Sequence, residues 1–277
     1  SKIEPAILLM GASGTGKTYS LSTLIEAGLE VFMIVTEPNG LETLLDAIET
    51  KKLDINKLHY AVISPARPSF DSMIKMAQLV SISDQQAISA LRPGAERANA
   101  QWIELLKTLH NFTDARTGKV YGDVTKLGPT AAVVIDSMSG LNHMAMDITI
   151  GDKATANPGE WGIAMKMLDK LLLMLTSNLT SILVITAHTE RETDEITGAT
   201  KIMVSSLGKK LAPQIPRLFS EIILSDVLTE QDKRTYLWST NTNNYVLKNR
   251  ALPIGSKLAP DFRPIVTAFH RRMKLIS

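Results

Sequence analysis

Apolar residues along the chain fall into two patterns. Short unbroken runs stand at Ala6-Ile7-Leu8-Leu9-Met10, Val31-Phe32-Met33-Ile34-Val35, Ala131-Ala132-Val133-Val134-Ile135 and Ser181-Ile182-Leu183-Val184-Ile185-Thr186, with a shorter one at Tyr60-Ala61-Val62-Ile63. Runs of this length without polar alternation predict strands covered on both faces, as in a parallel sheet. Between them apolar residues recur at helical spacing. Residues 17–27 put Leu21, Leu24 and Ile25 on one face, and residues 94–111 do the same with Trp102, Leu105, Leu106 and Leu109. Residues 159–177 align Ile163, Met167, Leu168, Leu171, Leu172 and Leu175. Strands alternating with helices predict an α/β fold, a mainly parallel doubly wound sheet with helices on both faces. The runs at 6–10 and 131–135 are expected in its interior.

Polar stretches predict excursions from that core. Residues 114–130, rich in Gly, Asp, Lys and Thr, suit a hairpin around Gly118 or Gly122, and residues 189–207, with Gly198, suit a hairpin or a mobile loop. Residues 220–249 hold further short strand-like runs. The domain reading is one core over 1–255, followed by a tail over 256–277. The tail ends in the basic run His270-Arg271-Arg272-Met273-Lys274, which is either solvated or placed against nucleic-acid phosphates.

Composition narrows the chemistry. A chain of 277 residues, 44% hydrophobic and 21% charged, suits one elaborated α/β domain with a sizeable core. There is no cysteine, which excludes disulfides, thiol nucleophiles and zinc–thiolate sites. No run of 18 apolar residues exists, so no transmembrane helix is expected. The first residues run straight into the first strand, which leaves no room for a signal peptide. A net charge of +2 is too small to drive nucleic-acid binding by itself, so any such binding has to come from local loops.

The most specific signal follows the first strand. Gly11-Ala12-Ser13-Gly14-Thr15-Gly16-Lys17-Thr18 spells G-x-x-x-x-G-K-T between a strand and a helix. Glycines there let backbone N–H groups wrap phosphates, and the helix N-terminus adds its positive end. Lys17 is expected to reach the β- and γ-phosphates of ATP, and the Thr18 hydroxyl to hold Mg²⁺. Asp136 closes the strand 131–135 and is the expected second Mg²⁺ ligand, at the strand end where an α/β sheet binds its ligands. Hydrolysis also needs a carboxylate to orient or deprotonate the attacking water. The residue after Asp136 is Ser137, which cannot do this. Glu37, at the end of strand 31–35, is the candidate base. His188, just past the strand 181–186, is placed to sense the γ-phosphate.

In order and spacing, this layout resembles the RecA-like branch of P-loop ATPases, most specifically over residues 133–189. It is more closely similar to small phage-encoded proteins of RecA type, among them the fourth group of Sak-type single-strand annealing proteins. "TEPNGLETL", "GEWGIAMKMLDKLLLML", "ITAHTE" and "GKKLAPQIPRLFSEII" carry that likeness, which spans roughly residues 3–250. The resemblance implies a RecA-like core and an ATPase that binds single-stranded DNA and promotes annealing or strand exchange in phage recombination, in the cytoplasm of the bacterial host. It also implies a homo-oligomer, ring or filament, with an ATP site completed in trans, and a single-strand-binding protein as a further partner. By position the DNA-binding loops would be 148–160 and 190–201, with Lys153, Lys201, Lys209 and Lys210 supplying most of the attraction. Where RecA has a Gln sensor, this chain has His188. Unlike RecA, only five residues precede the first strand, with no room for a protomer-linking segment.

Lys248-Asn249-Arg250 resembles the K-x-R of DnaB-type hexameric helicases, where both cations reach a neighbouring subunit's γ-phosphate. Lys209, Lys210 and Arg217 are competing candidates. Phe112-Thr113-Asp114-Ala115 matches an F-x-x-A pattern that some recombinases use between subunits. The same core also serves DNA motors and ATP-switched protein-binding modules. Residues 190–201 hold Glu190, Glu192, Asp194 and Glu195 against Arg191 and Lys201, an acid excess that keeps the protein-binding alternative open.

Overall fold

Buried side chains alternate along every internal strand and so divide one sheet into two faces. The computed structural model describes residues 4–37, 40–64, 69–81, 100–151, 156–193, 200–231, 233–243 and 245–275. In chain order the elements are β1 (Ala6–Met10), α1 (Lys17–Ser20), α2 (Ser22–Glu26), β2 (Glu30–Val35), α3 (Gly40–Lys51), β3 (Leu58–Val62), α4 (Phe70–Ser81) and α5 (Gln101–His110). They continue with β4 (Phe112–Thr113), β5 (Val120–Gly122), β6 (Ala131–Asp136), α6 (Met138–Ile150), α7 (Pro158–Asn178), β7 (Ile182–Ala187), β8 (Thr189–Thr193) and β9 (Thr200–Val204). The last are α8 (Gly208–Leu211), β10 (Glu221–Glu230), β11 (Lys233–Ser239) and α9 (Arg263–Met273).

The main sheet runs β11-β10-β1-β7-β6-β2-β3. All its pairs are parallel except β10 with β11. β1 and β6 are internal, as their two-faced apolar runs require. One face gathers Leu8, Phe32, Ile34, Val133, Ile135, Leu183 and Ile185 with the apolar sides of α5, α6 and α7. The other gathers Ile7, Leu9, Val31, Met33, Val134 and Val184 with α2, α3 and α9. This is the mainly parallel, doubly wound α/β architecture read from the sequence.

Several elements differ in detail from the expectation. The helix after the glycine loop breaks at Leu21 into α1 and α2. The hydroxyls of Ser20, Ser22 and Thr23 donate to the carbonyls of Lys17, Tyr19 and Ser20, competing with the helical ladder. Within the described residues the helix expected over 94–111 is α5, with Trp102, Leu105 and Leu109 buried and Leu106 at the exposed rim of that stripe. On α7 the core stripe is Ala164, Leu168, Leu171, Leu172 and Leu175, while Ile163, one position off the repeat, is 56% exposed. Asn157 caps α7, accepting from Glu160 N while the Glu160 carboxylate accepts from Asn157 N.

The first excursion is the β4–β5 hairpin, which turns through Gly118; the second is the β8–β9 hairpin, with 194–199 outside the described residues. The stretch read as a C-terminal tail folds onto the core. Phe262, Ile265, Val266 and Phe269 are buried at helical spacing, and Phe262 N donates to Thr23 Oγ1 at 2.9 Å. Phe112 is also buried, its ring 5.4 Å from that of Phe32, so the F-x-x-A stretch cannot present its phenylalanine to another subunit. Among the described residues, no helix is long and apolar enough to cross a membrane.

Candidate functional site

The C-terminal ends of β1, β2, β6 and β7 meet around a cleft of about 350 Å³, lined by the glycine loop, Glu37, Asp136, Ser137 and His188. Gly14 (φ 75°) and Gly16 (φ 84°) take the left-handed conformation that turns backbone N–H groups toward one centre. Thr15 Oγ1 donates to Ala12 O at 2.9 Å, and Ser225 Oγ, from β10, donates to Thr15 O at 2.8 Å. The loop is therefore braced from within and from the neighbouring strand.

Lys17 is buried beneath the loop, and its Nζ donates to Gly11 O at 2.8 Å and to Ala12 O at 2.7 Å. Burial lowers its pKa, against the opposing pull of the Asp136 and Glu37 carboxylates. Thr18 Oγ1 donates to Asp136 Oδ2 at 2.8 Å, and Thr186 Oγ1 donates to Asp136 Oδ1. Asp136 is almost fully buried, and this desolvation raises its pKa. The two threonine hydroxyls pull the other way, Glu37 adds to the rise and Lys17 opposes it.

Glu37 stands at the mouth of the cleft. Ser137 Oγ donates to Glu37 Oε1, and His188 Nε2 lies 3.5 Å from the same oxygen, an ion pair whenever the imidazole is protonated. Ser137 is itself fixed by Thr36: Ser137 N donates to Thr36 Oγ1 at 2.7 Å, and that hydroxyl donates to Ser137 O at 2.9 Å. Gly140, on the first turn of α6, lets this happen, because a Cβ there would fall 2.3 Å from Thr36 Cβ.

The donor set suits a nucleoside triphosphate with a hard cation. Glycine-loop amides and one buried lysine suit phosphates, and a hydroxyl paired with a single carboxylate suits Mg²⁺, which takes its remaining ligands from phosphate and water. Among the described residues, no cluster of three or more His, Asp and Glu forms a metal centre that could stand without them.

The structure thus brings Gly11 to Thr18, Glu37, Asp136 and His188 together, and it leaves Lys248 and Arg250 elsewhere. Lys248 pairs by backbone with Ile222, and its Nζ donates to Phe219 O at 2.7 Å. Arg250 N donates to Glu221 Oε2 at 2.8 Å. Glu221 is in register with Ile7, so this corner lies toward the far end of β1 from the glycine loop. Arg217 lies 3.6 Å from Asp169 on α7. Lys153 lies outside the described residues; Lys201 belongs to β9, and Lys209 and Lys210 belong to α8.

Sequence reasoning missed Thr36, Gly140, Thr186 and Ser225. Thr186 had a visible signal, as a hydroxyl inside an otherwise apolar run, level with Leu9 of the P-loop strand. Thr36 and Gly140 had none, because their contact joins elements about a hundred residues apart.

No curated protein matches the chain closely enough to count as a relative. Residues 3–251 match the family model described as an AAA domain. With that match over nearly the whole chain, and with a glycine loop, buried lysine and strand-end aspartate assembled in one cleft, the chain belongs to the AAA domain family of P-loop ATPases.

Proposed function

We propose that the protein binds and hydrolyses ATP, engages single-stranded DNA in an ATP-dependent manner, and promotes annealing or strand exchange in phage recombination. The glycine-loop amides and Lys17 would hold the phosphates, and Thr18 and Asp136 would hold Mg²⁺, which would supply charge neutralisation for phosphoryl transfer. Glu37 orients and deprotonates the attacking water.

One observation carries the link to DNA. His188 touches Glu37 through its side chain, while its carbonyl accepts from Ser205 N at 2.8 Å at the base of the β8–β9 hairpin. A group that meets the catalytic carboxylate on one side and the hairpin on the other can bias the hairpin by the state of the phosphates. The protein acts as a ring or filament, with Lys248 and Arg250 as candidates to serve a neighbouring site, and a single-strand-binding protein is a further partner. The test measures fluorescence anisotropy of labelled single-stranded DNA with and without a non-hydrolysable ATP analogue, alongside ATPase rate with and without that DNA. ATP-strengthened, salt-sensitive binding that weakens when Lys153, Lys201, Lys209 and Lys210 are replaced supports the reading. Binding indifferent to both ATP and the lysines overturns it.

A second reading, an ATP-switched protein-binding module, is favoured by the acid excess of residues 190–201 and by α4, where Phe70, Met73 and Ile74 are 83%, 54% and 53% exposed. It predicts the same nucleotide chemistry with no DNA response.

A further inference from the structure

Beside the phosphate cleft, and sharing Gly14, Gly16, Tyr19 and Thr43 with it, lies a second and larger groove of about 720 Å³. One side is Tyr19, the residue directly after the G-K-T. The other is β11, whose Lys233, Arg234 and Tyr236 border the groove. β10 and β11 extend well beyond the register where β1 ends: Met10 pairs with Leu224, yet the hairpin continues through Glu230 and Lys233. It therefore stands alongside the glycine loop as a wall. Tyr236 leans against the loop closely enough that a Cβ on Gly16 would fall 2.9 Å from its ring. Tyr19 is held from its own side by Lys51, whose Nζ sits 5.0 Å from the ring centroid and is fixed by Glu26 Oε1 at 2.7 Å and Ser22 Oγ at 2.9 Å.

A nucleotide whose phosphates lie in the glycine loop has to put its sugar and base somewhere adjacent, and this groove opens from the same glycines. Two exposed aromatic rings offer stacking surface, and stacking does not distinguish one purine from another. The polar side chains that border the groove are Lys51, Lys233, Arg234 and hydroxyls. Among the described residues it has no carboxylate or carboxamide. Ammonium and guanidinium groups only donate hydrogen bonds. The cations suit the O6 and N7 acceptors of guanine, while the hydroxyls, which accept as well as donate, can serve the exocyclic amine of adenine.

We infer that this groove is the nucleobase subsite, that Tyr19 and Tyr236 hold the base by stacking, and that it takes GTP about as readily as ATP. The inference rests on reading the glycine-loop cleft as a triphosphate site.

The experiment measures equilibrium binding of ATP, GTP, CTP and inorganic tripolyphosphate, each with Mg²⁺, to the full chain and to Lys17→Ala, Tyr19→Ala, Tyr236→Ala and Tyr236→Phe. ATP and GTP dissociation constants within tenfold of each other are expected, with CTP weaker. Tyr236→Ala should weaken both purine nucleotides about tenfold, within the stacking range, and leave tripolyphosphate unchanged, while Tyr236→Phe restores purine binding. A preference for ATP over GTP greater than tenfold overturns the proposal. So do tyrosine-to-alanine variants that bind both purines as the wild type does. If tripolyphosphate itself fails to bind, or binds equally to Lys17→Ala, the phosphate-site reading fails and the groove falls with it. Intact tripolyphosphate binding without the purine pattern sinks the groove alone.

Discussion

Ser137 donates its hydroxyl hydrogen to Glu37 Oε1, across from β6 to the end of β2. The residue after the strand-end aspartate thus holds the carboxylate proposed as the base. Replacing Glu37 with Gln keeps shape and removes the base, so turnover should fall about 10²-fold or more with nucleotide affinity retained. Ser137→Ala leaves the base and removes its aim, so a smaller loss of about tenfold is expected. Steady-state ATPase assays beside equilibrium nucleotide binding separate the two. Full turnover in Glu37→Gln would remove Glu37 from the mechanism.

Thr186 should matter as much as a metal ligand without being one. Its hydroxyl satisfies Asp136 Oδ1, and hydrogen bonds to charged groups are worth about 1.5–3 kcal/mol. Thr186→Val should weaken Mg²⁺-dependent nucleotide binding at least about tenfold and leave binding measured in a chelator unchanged. Titration calorimetry under both conditions checks this, and equal losses in both would assign Thr186 a purely structural role.

Gly140→Ala introduces a methyl 2.3 Å from Thr36 Cβ, where neither helix nor strand can easily yield. Overpacking of this kind costs about 1–3 kcal/mol. Because Thr36 fixes Ser137, turnover should fall along with stability. Chemical denaturation and ATPase rate should move together.

What could be read in advance was what is local. The strand runs and the glycine loop need only neighbouring residues, and Asp136 and Glu37 follow from the strand ends that precede them. The missed features are contacts at long separation: Thr36 with Ser137, Ser225 with Thr15, Tyr236 with Gly16. The C-terminal helix is a different case. Phe262, Ile265, Val266 and Phe269 repeat at i, i+3, i+4 and i+7, a helical signal outweighed by the basic run beside it.

Far from the cleft, Asp114 is fully buried under hydrogen bonds from Tyr60 N, Arg116 N and Thr117 Oγ1. Burial pushes its pKa up, but these bonds, with His59 nearby, outweigh it and hold the carboxyl below the ordinary 3.8. A depressed folded-state pKa adds stability that is complete above 3.8 and is lost as the pH falls below it. Asp114→Asn should cost about 1–3 kcal/mol at neutral pH and flatten the acid limb of the stability curve. Urea midpoints across the acid range check both; an unchanged limb would exclude Asp114 as its source.

Lys248 and Arg250 can be tested apart. Lys248→Ala removes the bond to Phe219 O and should lower stability by about 1 kcal/mol. Arg250 is exposed, so Arg250→Ala should spare stability. If it serves a neighbouring site, hydrolysis falls, and mixing Arg250→Ala with Glu37→Gln restores part of it at mixed interfaces. Absence of rescue, with an active enzyme that sediments as a monomer, would end the trans assignment.

The strand order fixes a sequence of events in time. β1 is made first, but it has neither β2 nor β3 beside it; its neighbours are β7 and β10. Ile7 must wait for Val184 on one side and Glu221 on the other before its backbone is paired. Such distant pairings close slowly. During synthesis, the strand that carries the glycine loop therefore stays unpaired until β7, ending at Ala187, has emerged, and keeps one open edge until β10 follows. A nascent chain can hold the whole nucleotide signature and still be unable to grip a nucleotide, so the onset of binding would report completion of the sheet.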